Sequence, residues 1–249
     1  EISYVTIFEG SHGVPKDEES KALWNRLVVE DVREDTIENV FWGPTGNEGP
    51  CGPTTEIYCR NADGKDIEVW NIVFNEYLYP GSREELLSGV PEKKLEKLKI
   101  AGVDTGMGLE RLAMISQRTK TIFETDLFAP YIALLPESLD EKKKRELIDH
   151  TLGSVFLLAD GVRPSNKERG YILRRLLRRI FVYEYQAELS SHILPSILHD
   201  ILHGYGSFYP ELMKEGEVIR DEFAKEREKF LKTLMRGLKE IEKIDHMTG

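Results

Sequence analysis

The periodicity of the apolar residues changes once along this chain, near Thr125. Before that point, short runs of β-branched and aromatic residues alternate with Gly, Pro and Asn, a pattern typical of strands and loops. After it, apolar residues recur at helical spacing towards the end of the sequence. The change predicts an α+β fold, and we place the boundary near Pro136, between a first domain over residues 1–135 and an all-helical domain over residues 136–249.

Two strands of the first domain are predicted to form a hairpin. The runs 55–59 and 68–79 are joined by NADGKD, in which Asp63-Gly64 is a typical turn signal. Glycine and proline are so dense over residues 43–53 that we expect no regular element there, and we expect the charged stretch 81–99 to be irregular. The other predicted elements are strands over 3–8 and 39–42 and helices over 17–29, 141–158, 168–185, 191–203 and 211–244.

The chain has 44 acidic and 34 basic residues and a formal net charge of −10. This balance excludes a protein that binds nucleic acid through bulk positive charge, so any RNA contact must come from a local basic patch. No window approaches the ~18 consecutive apolar residues of a membrane span, and we expect no membrane partner. The two cysteines, Cys51 and Cys59, are expected to be reduced thiols, and we expect a cytoplasmic protein.

The segment GVDTGMGLERLAM combines an acid, two glycines and an arginine. Asp104 or Thr105 is a suitable helix N-cap. Gly106 and Gly108 allow a ligand to approach the backbone closely, and Arg111 would project from the helix that follows. The pattern suits a ligand with both cationic and anionic parts, because the carboxylate can hold an amine and the guanidinium can hold phosphate. A glycine-rich turn with a purely structural aspartate cap is the alternative.

The predicted strand EVWNIVFNEYLY carries amide side chains at alternate positions. With a period of two, Asn71, Val73 and Asn75 share one face. An amide beside a small apolar residue is the lining expected of a small, selective pocket, although an edge strand with an ordinary solvated face would give the same pattern. The opposite face would carry Glu68, Trp70, Ile72 and Phe74.

The segment SNKERGYILRRLLRR predicts an amphipathic helix with one basic side. Ser165 and Glu168 form a capping box, which places the start of the helix there. Residues 163–179 include seven Lys or Arg and one acid, and this excess of positive charge favours contacts with a phosphate backbone. A solvated basic face on a core helix is the alternative. On a helical wheel, the basic arc holds Arg174, Arg175, Arg178 and Arg179, and the apolar arc holds Ile172, Leu173, Leu176, Leu177 and Ile180.

Three histidines have a helical spacing. His199 and His203 lie four residues apart on a predicted helix, with His192 one heptad earlier. Metal ligands use this spacing, but no acid follows the first histidine as in the HExxH motif. We expect an ordinary helix surface and no zinc in this chain.

Four segments together resemble the alanyl-tRNA synthetases, a class II family. The segments are NVFWGPTGNEGPCGPTTEIY, EVWNIVFNEY, GVDTGMGLERLAM and LADGVRPSNKERGYILRRLLRR, and they lie in the family's order over residues 39–179. The third segment is similar to motif 3 of the class II synthetases. The resemblance implies a mostly antiparallel sheet of the class II type with a motif 3 helix, followed by helices that recognise tRNA.

The resemblance also implies an ATP-dependent ligase that uses Mg²⁺. Such an enzyme activates alanine to alanyl-adenylate and transfers the alanyl group to the 3′ end of alanine tRNA, relying on positioning and charge stabilisation. Glu68 would be the Mg²⁺ carboxylate, a role that requires a bulge or twist because Glu68 lies three residues from Asn71. By the same resemblance, Asp104, Trp42, Asn71 and Val73 bind the amino acid, Gly106 and Gly108 approach the adenine, and Arg111, the catalytic residue, binds the γ-phosphate of ATP.

In the helical half, the resemblance places Asn166 where the family reads a G·U wobble pair of the tRNA acceptor stem. Such a pair leaves the guanine amino group in the shallow minor groove, where an amide oxygen can accept its hydrogen bond. The other tRNA-binding residues that the resemblance implies are Arg163, Arg174, Arg175, Arg178 and Arg179.

Motifs 1 and 2 of the family, which precede motif 3, have no counterpart in this sequence. The resemblance therefore covers the rear half of a catalytic domain and the helices after it, and we expect a fragment or half that needs a complementing N-terminal segment. Two alternatives remain open. One is a catalytically inactive tRNA-binding or regulatory paralogue, and the other is an adenylate-forming enzyme for a different small acid.

Overall fold

A computed structural model describes the backbone of residues 1–248 and the side chains of residues 1–241 and 243. The chain divides into two compact units, Glu1–Leu127 and the residues from Phe128 onward. The division falls before the predicted boundary near Pro136, because Phe128, Tyr131 and Leu135 are buried and the helix that contains Tyr131 packs on later helices. We describe each unit by itself.

A mostly antiparallel sheet forms the first unit, and the predicted α+β fold class is confirmed. The strand order is β2-β1-β4-β5-β6, with β3 paired to β4, and only the β1–β2 pair is parallel. The strands are β1 (Ile2–Phe8), β2 (Val32–Asp35), β3 (Phe41–Trp42), β4 (Gly49–Arg60), β5 (Asp66–Tyr79) and β6 (Glu96–Met107).

The predicted hairpin is confirmed as β4 and β5, but two predictions around it are wrong. β4 begins at Gly49, inside the segment expected to be irregular, because Gly52 lets β5 approach closely: a Cβ there would overlap the carbonyl oxygen of Phe74. The stretch 81–99 contains a helix and the start of β6. Ser82 and Glu85 form a capping box that begins this helix, a local signal that the charge of the segment obscured.

Three α-helices accompany the sheet: α1 (Glu18–Arg26), α2 (Arg83–Ser88) and α3 (Leu109–Ser116). The Asp17 carboxylate caps α1 by accepting a hydrogen bond from the backbone N–H of Ser20. α3 is the helix that follows the glycine motif, and its N-cap is Gly108. The predicted cap at Asp104 or Thr105 is wrong because β6 continues to Met107, so both residues lie in a strand.

The second unit is helical within the described residues. The four predicted helices are present, although the last is divided at Glu215 into a short and a long helix. No helix among the described residues has the length and apolarity needed to cross a membrane. The helices are α4 (Ala129–Ile132), α5 (Glu141–Ala159), α6 (Glu168–Gln186), α7 (Ile193–Gly206), α8 (Pro210–Lys214) and α9 (Gly216–Thr248).

The N-terminus of α6 differs from the prediction. The N-cap is Lys167 and no side chain caps the helix, so the predicted capping box of Ser165 and Glu168 is wrong. The Ser165 hydroxyl is occupied elsewhere, since it accepts from the backbone N–H of Lys167 and donates to the Lys167 carbonyl. Ile172, expected in the apolar arc, is half exposed.

Two ion pairs join α6 to α9. Arg178 Nε donates to Glu226 Oε1 at 2.9 Å, and Arg227 Nε donates to Glu184 Oε2 at 2.7 Å. Both glutamates are buried, so each arginine compensates a carboxylate that water does not reach. The buried apolar side chains of α6 are Leu173, Leu177, Ile180 and Phe181.

Replacement of Gly52 by alanine tests the close approach of β4 and β5. Gly52→Ala should lower the free energy of unfolding by about 1–3 kcal/mol, because the added Cβ forces the β5 backbone to shift. Urea unfolding measures this change. Gly102→Ala is the matched control, since a Cβ at Gly102 meets no atom within 4 Å; equal stability of the two variants would contradict the interpretation.

Candidate functional site

The pairing of β5 with β6 brings several of the predicted site residues together. Val73 lies opposite Asp104, and Asn71 lies opposite Gly106. Directly opposed residues of an antiparallel pair point to the same face, so these four positions form a compact group on one face of the sheet. Val73 is buried, and Asp104 is exposed.

A bulge in β5 moves Glu68 onto this face. Trp70 pairs with Ile57, but the next residue of β4, Tyr58, pairs with Glu68, so Val69 is the extra residue. The prediction that Glu68 lies on the face opposite to Asn71 is therefore wrong. The bulge that its proposed role requires is present. Glu56 pairs with Asn71 and Tyr58 pairs with Glu68, so the register shift puts the Glu68 side chain on the same face as Glu56 and Asn71.

Arg111, on the first turn of α3, reaches the same strand. Its Nη1 donates to the backbone carbonyl of Glu68 at 2.9 Å and lies 3.4 Å from Glu68 Oε2. The backbone N–H of Gly108, the N-cap of α3, donates to the Val69 carbonyl at 3.2 Å. The start of α3 is thus fastened to the bulge, and about half of the Arg111 side chain remains exposed.

Glu56 is a member of the group that sequence reasoning missed. It lies opposite Asn71 on β4 and is 5% exposed. Its carboxylate accepts from Asn71 Nδ2 at 3.1 Å and from the Tyr58 hydroxyl at 2.8 Å. Burial, aided by the nearby charge of Glu68, raises the pKa of Glu56 above its usual range. The available signal was that Glu56 is the one acid of the predicted strand 55–59.

Open space lies beside this group on β6. The Asp104 carboxylate is oriented by its own strand, because Oδ1 accepts a hydrogen bond from the backbone N–H of Thr105 at 2.8 Å. A Cβ placed on Gly106 would meet no atom within 4 Å. The absence of a side chain at Gly106 therefore serves no packing need of the described residues, and it leaves room for a ligand next to Asn71.

The backbone of Trp42 lies outside the β5–β6 pair. It lies on β3 opposite Gly52, and β3 borders β4 on the side away from β5. Two strands, β4 and β5, separate it from Asp104. The strand assignment of Trp42 was predicted, but its distance from β6 depends on a strand order that the local pattern does not contain.

Among the described side chains, no group of three or more His, Cys, Asp or Glu is placed to hold a metal ion. A Mg²⁺ ion that accompanies a nucleotide needs only one or two carboxylates, because phosphates and water supply its other ligands. The partly exposed carboxylate of Glu68 fits that donor set. The rings of His199 and His203 contact one another at a tilt of 36° with centroids 4.0 Å apart, and Nδ1 of His203 lies 2.8 Å from the carbonyl oxygen of His199.

In the helical unit, the predicted RNA-binding residues fall into two sets. Asn166 is exposed and its Oδ1 accepts from Arg174, while Arg175 and Arg179 are exposed on α6. Two other arginines have partners inside the protein. Arg178 is paired with Glu226, and Arg163 donates to the carbonyls of Leu158 and Val162 at the end of α5.

Comparison with known proteins extends these observations. A family model described as tRNA synthetases class II (A) matches residues 4–248. Similar proteins include the alanine–tRNA ligase of Borrelia hermsii, 36% identical over 97% of this chain and 43% of the relative. That of Rubrobacter xylanophilus is 34% identical over 99% of this chain and 31% of the relative. The chain thus spans less than half the length of these relatives.

The buried carboxylate of Glu56 predicts a pH dependence of stability. Because its pKa is raised in the folded state, the folded chain retains the proton longer, and the free energy of unfolding should fall as the pH rises through that pKa. Glu56→Gln should remove this part of the slope, which is at most about 1.4 kcal/mol per pH unit. Urea unfolding between about pH 4 and pH 8 measures it.

Glu48→Gln is the control for this experiment, because it removes an exposed acid from the same unit. Its profile should run parallel to that of the unmodified chain. Parallel profiles for Glu56→Gln as well would mean that Glu56 does not hold its proton in the folded state.

Proposed function

Because the chain belongs to the class II tRNA synthetase family, we propose that it forms the motif 3 half of an alanine–tRNA ligase active site, followed by helices that bind the tRNA acceptor stem. The observation that carries this proposal is the β5–β6 register, which sets the Asp104 carboxylate opposite Val73 and the Gly106 opening opposite Asn71. An acid, a small apolar floor and an amide on one face suit a small amino acid.

The amino-acid subsite is assigned to this group. The Asp104 carboxylate binds the α-ammonium group by a charge-assisted hydrogen bond. Val73 and Asn71 lie behind the methyl side chain, and the Glu56 carboxylate fixes the amide of Asn71 through Nδ2. Trp42 lies beyond β4, so it would line this subsite only from its far side.

The nucleotide subsite is assigned to the start of α3 and the neighbouring strand. Gly106 and Gly108 let the adenine approach the backbone, and Arg111 binds the γ-phosphate. Glu68 would hold Mg²⁺, which neutralises phosphate charge when bound. Arg111 and Glu68 contact one another at the bulge. The guanidinium group that would bind the γ-phosphate and the carboxylate that would hold Mg²⁺ therefore lie side by side.

The reaction follows from positioning these substrates. A carboxylate oxygen of alanine attacks the α-phosphorus of ATP, and pyrophosphate leaves with the electron pair of the broken P–O bond. A hydroxyl at the 3′ end of the tRNA then attacks the alanyl carbonyl, and AMP leaves. Asp104 orients the nucleophile and Arg111 stabilises charge on the leaving pyrophosphate, so the residues act by orientation and electrostatics.

The helical unit is assigned to the acceptor stem. The Asn166 amide oxygen accepts a hydrogen bond from the guanine amino group of a G·U pair. This oxygen already accepts from Arg174, and its second lone pair leaves it able to accept another donor. We assign phosphate contacts to Arg175 and Arg179, and we assign Arg163 and Arg178 to holding the helices in place.

A complementing segment is assigned to the open edge of β6. This strand borders the sheet, and its exposed side chains include Ile100, which is 86% exposed, and Val103. A long edge strand of this kind is a template for pairing with another strand. We propose that a further segment, on the same polypeptide or a separate chain, pairs there. It would supply an arginine that contacts the α-phosphate, a residue that motif 2 carries in the class II synthetases that this chain resembles.

The amine-binding role of Asp104 is tested by alanine-dependent exchange of pyrophosphate into ATP, in the complete protein with the complementing segment present. Asp104→Asn should lower the exchange rate at least about 100-fold, since the ammonium loses its only proposed charged partner. Gly106→Ala should raise the KM values for the substrates without loss of stability, because its Cβ fills ligand space only.

Asp63→Asn, the same change at an exposed acid in the turn between β4 and β5, is the control and should leave exchange unchanged. Unaltered exchange in Asp104→Asn would remove the amine-binding role. Binding of tRNA by the unmodified protein without any exchange would instead favour the inactive paralogue, and exchange with a different small acid would favour another adenylate-forming enzyme.

The division of the arginines predicts different salt dependences of tRNA binding. Arg175→Gln with Arg179→Gln should reduce the slope of log Kd against log salt concentration by roughly one unit per lost phosphate contact. Arg178→Gln should leave the slope unchanged but destabilise the fold, because Glu226 would remain buried without its partner. A slope that falls equally for Arg178→Gln would contradict this division.

A further inference from the structure

One exposed aromatic ring lies on the basic side of α6, near the N-terminal end of the helix. Tyr171 is on the first turn of the helix, where its backbone N–H donates to the Lys167 carbonyl at 3.0 Å. Its side chain is 46% exposed. Among the described residues, no hydrogen bond, ion pair or ring contact engages that side chain.

Both neighbours of Tyr171 towards the C-terminal end of α6 are cationic, whereas the acid Glu168 precedes it by three residues. Arg174 and Arg175 follow it by three and four residues, the spacing at which side chains of an α-helix lie side by side. Arg174 also donates to Asn166, so the ring and this amide belong to one continuous surface. The core side of α6 is occupied by other residues, since Leu173 and Leu177 are fully buried there.

This surrounding chemistry selects a class of ligand. Proteins that bind single-stranded nucleic acid combine cationic side chains that follow the backbone with aromatic rings on which bases stack. Every base has a π-face, but within a duplex both faces are covered by neighbouring base pairs. A ring among arginines can therefore stack on a base only where the RNA is unpaired.

We propose that Tyr171 is a stacking platform for an unpaired base of the bound RNA, at the single-stranded 3′ end beside the acceptor stem. This inference rests on the proposed function in one respect, which is that RNA binds the basic side of α6. Stacking adds affinity that does not depend on phosphate charge. It also holds the single-stranded end at a fixed place relative to the stem.

Two RNA hairpins with the same stem test the proposal, one with unpaired 3′ nucleotides and one with a blunt end. Tyr171→Ala should weaken binding of the first hairpin by roughly five- to 100-fold and leave the Kd of the blunt hairpin within about twofold. The slope of log Kd against log salt concentration should not change, because no phosphate contact is lost. Tyr171→Phe should bind both hairpins like the unmodified chain.

Two further variants separate stacking from other effects. Tyr171→Leu keeps apolar bulk without a π-face and should lose affinity as the alanine variant does, which guards against a loss caused by altered folding. Phe208→Ala removes a ring that is 81% exposed outside α6, and it should leave both affinities unchanged. Thermal unfolding of each variant should match that of the unmodified chain.

Several results would overturn the proposal. These are unchanged binding of the first hairpin by Tyr171→Ala, an equal loss for both hairpins, full affinity in Tyr171→Leu, or a loss in Tyr171→Phe. The proposed function fails in a different way, since the unmodified chain would then bind neither hairpin. Binding by the unmodified chain that is insensitive to Tyr171 would refute the stacking role alone.

Discussion

The backbone pairing of β5 with β6 is the constraint on which the candidate site depends. It sets Val73 opposite Asp104 and Asn71 opposite Gly106. Since successive residues of a strand point to opposite faces, a slip of one residue would carry Asp104 away from Asn71 and Val73. The ladder of backbone hydrogen bonds thus determines which side chains share this face of the sheet.

The bulge at Val69 and the buried Glu56 place polar groups on this face of the regular sheet. The bulge turns Glu68 to the face of Asn71 and provides the carbonyl to which Gly108 donates, so one irregularity aims an acid and anchors α3. Burial of the Glu56 carboxylate is unfavourable by itself, and donors from Tyr58 and Asn71 offset that cost. The result is a small polar network on one face of the sheet.

The sequence predicted what local patterns determine. The α+β class, the hairpin of β4 and β5, the helices other than α2 and α4, and the shared face of Asn71 and Val73 all follow from periodicity and turn signals. The full extent of β4, the face of Glu68 and the role of Glu56 could not be predicted, because they depend on pairing between distant segments. The partner of Arg178 is likewise 48 residues away. A helical wheel therefore showed the basic arc of α6 but not that Arg178 forms an ion pair with Glu226.

The two crossed ion pairs between α6 and α9 have a mechanical consequence. α9 is 33 residues long and therefore extends about 50 Å, and it is clamped near its beginning at Glu226 and Arg227. To slide or rotate against α6, it would have to uncover two buried glutamates at once. The two ion pairs therefore oppose sliding and rotation of α9 against α6 at the level of Glu226 and Arg227.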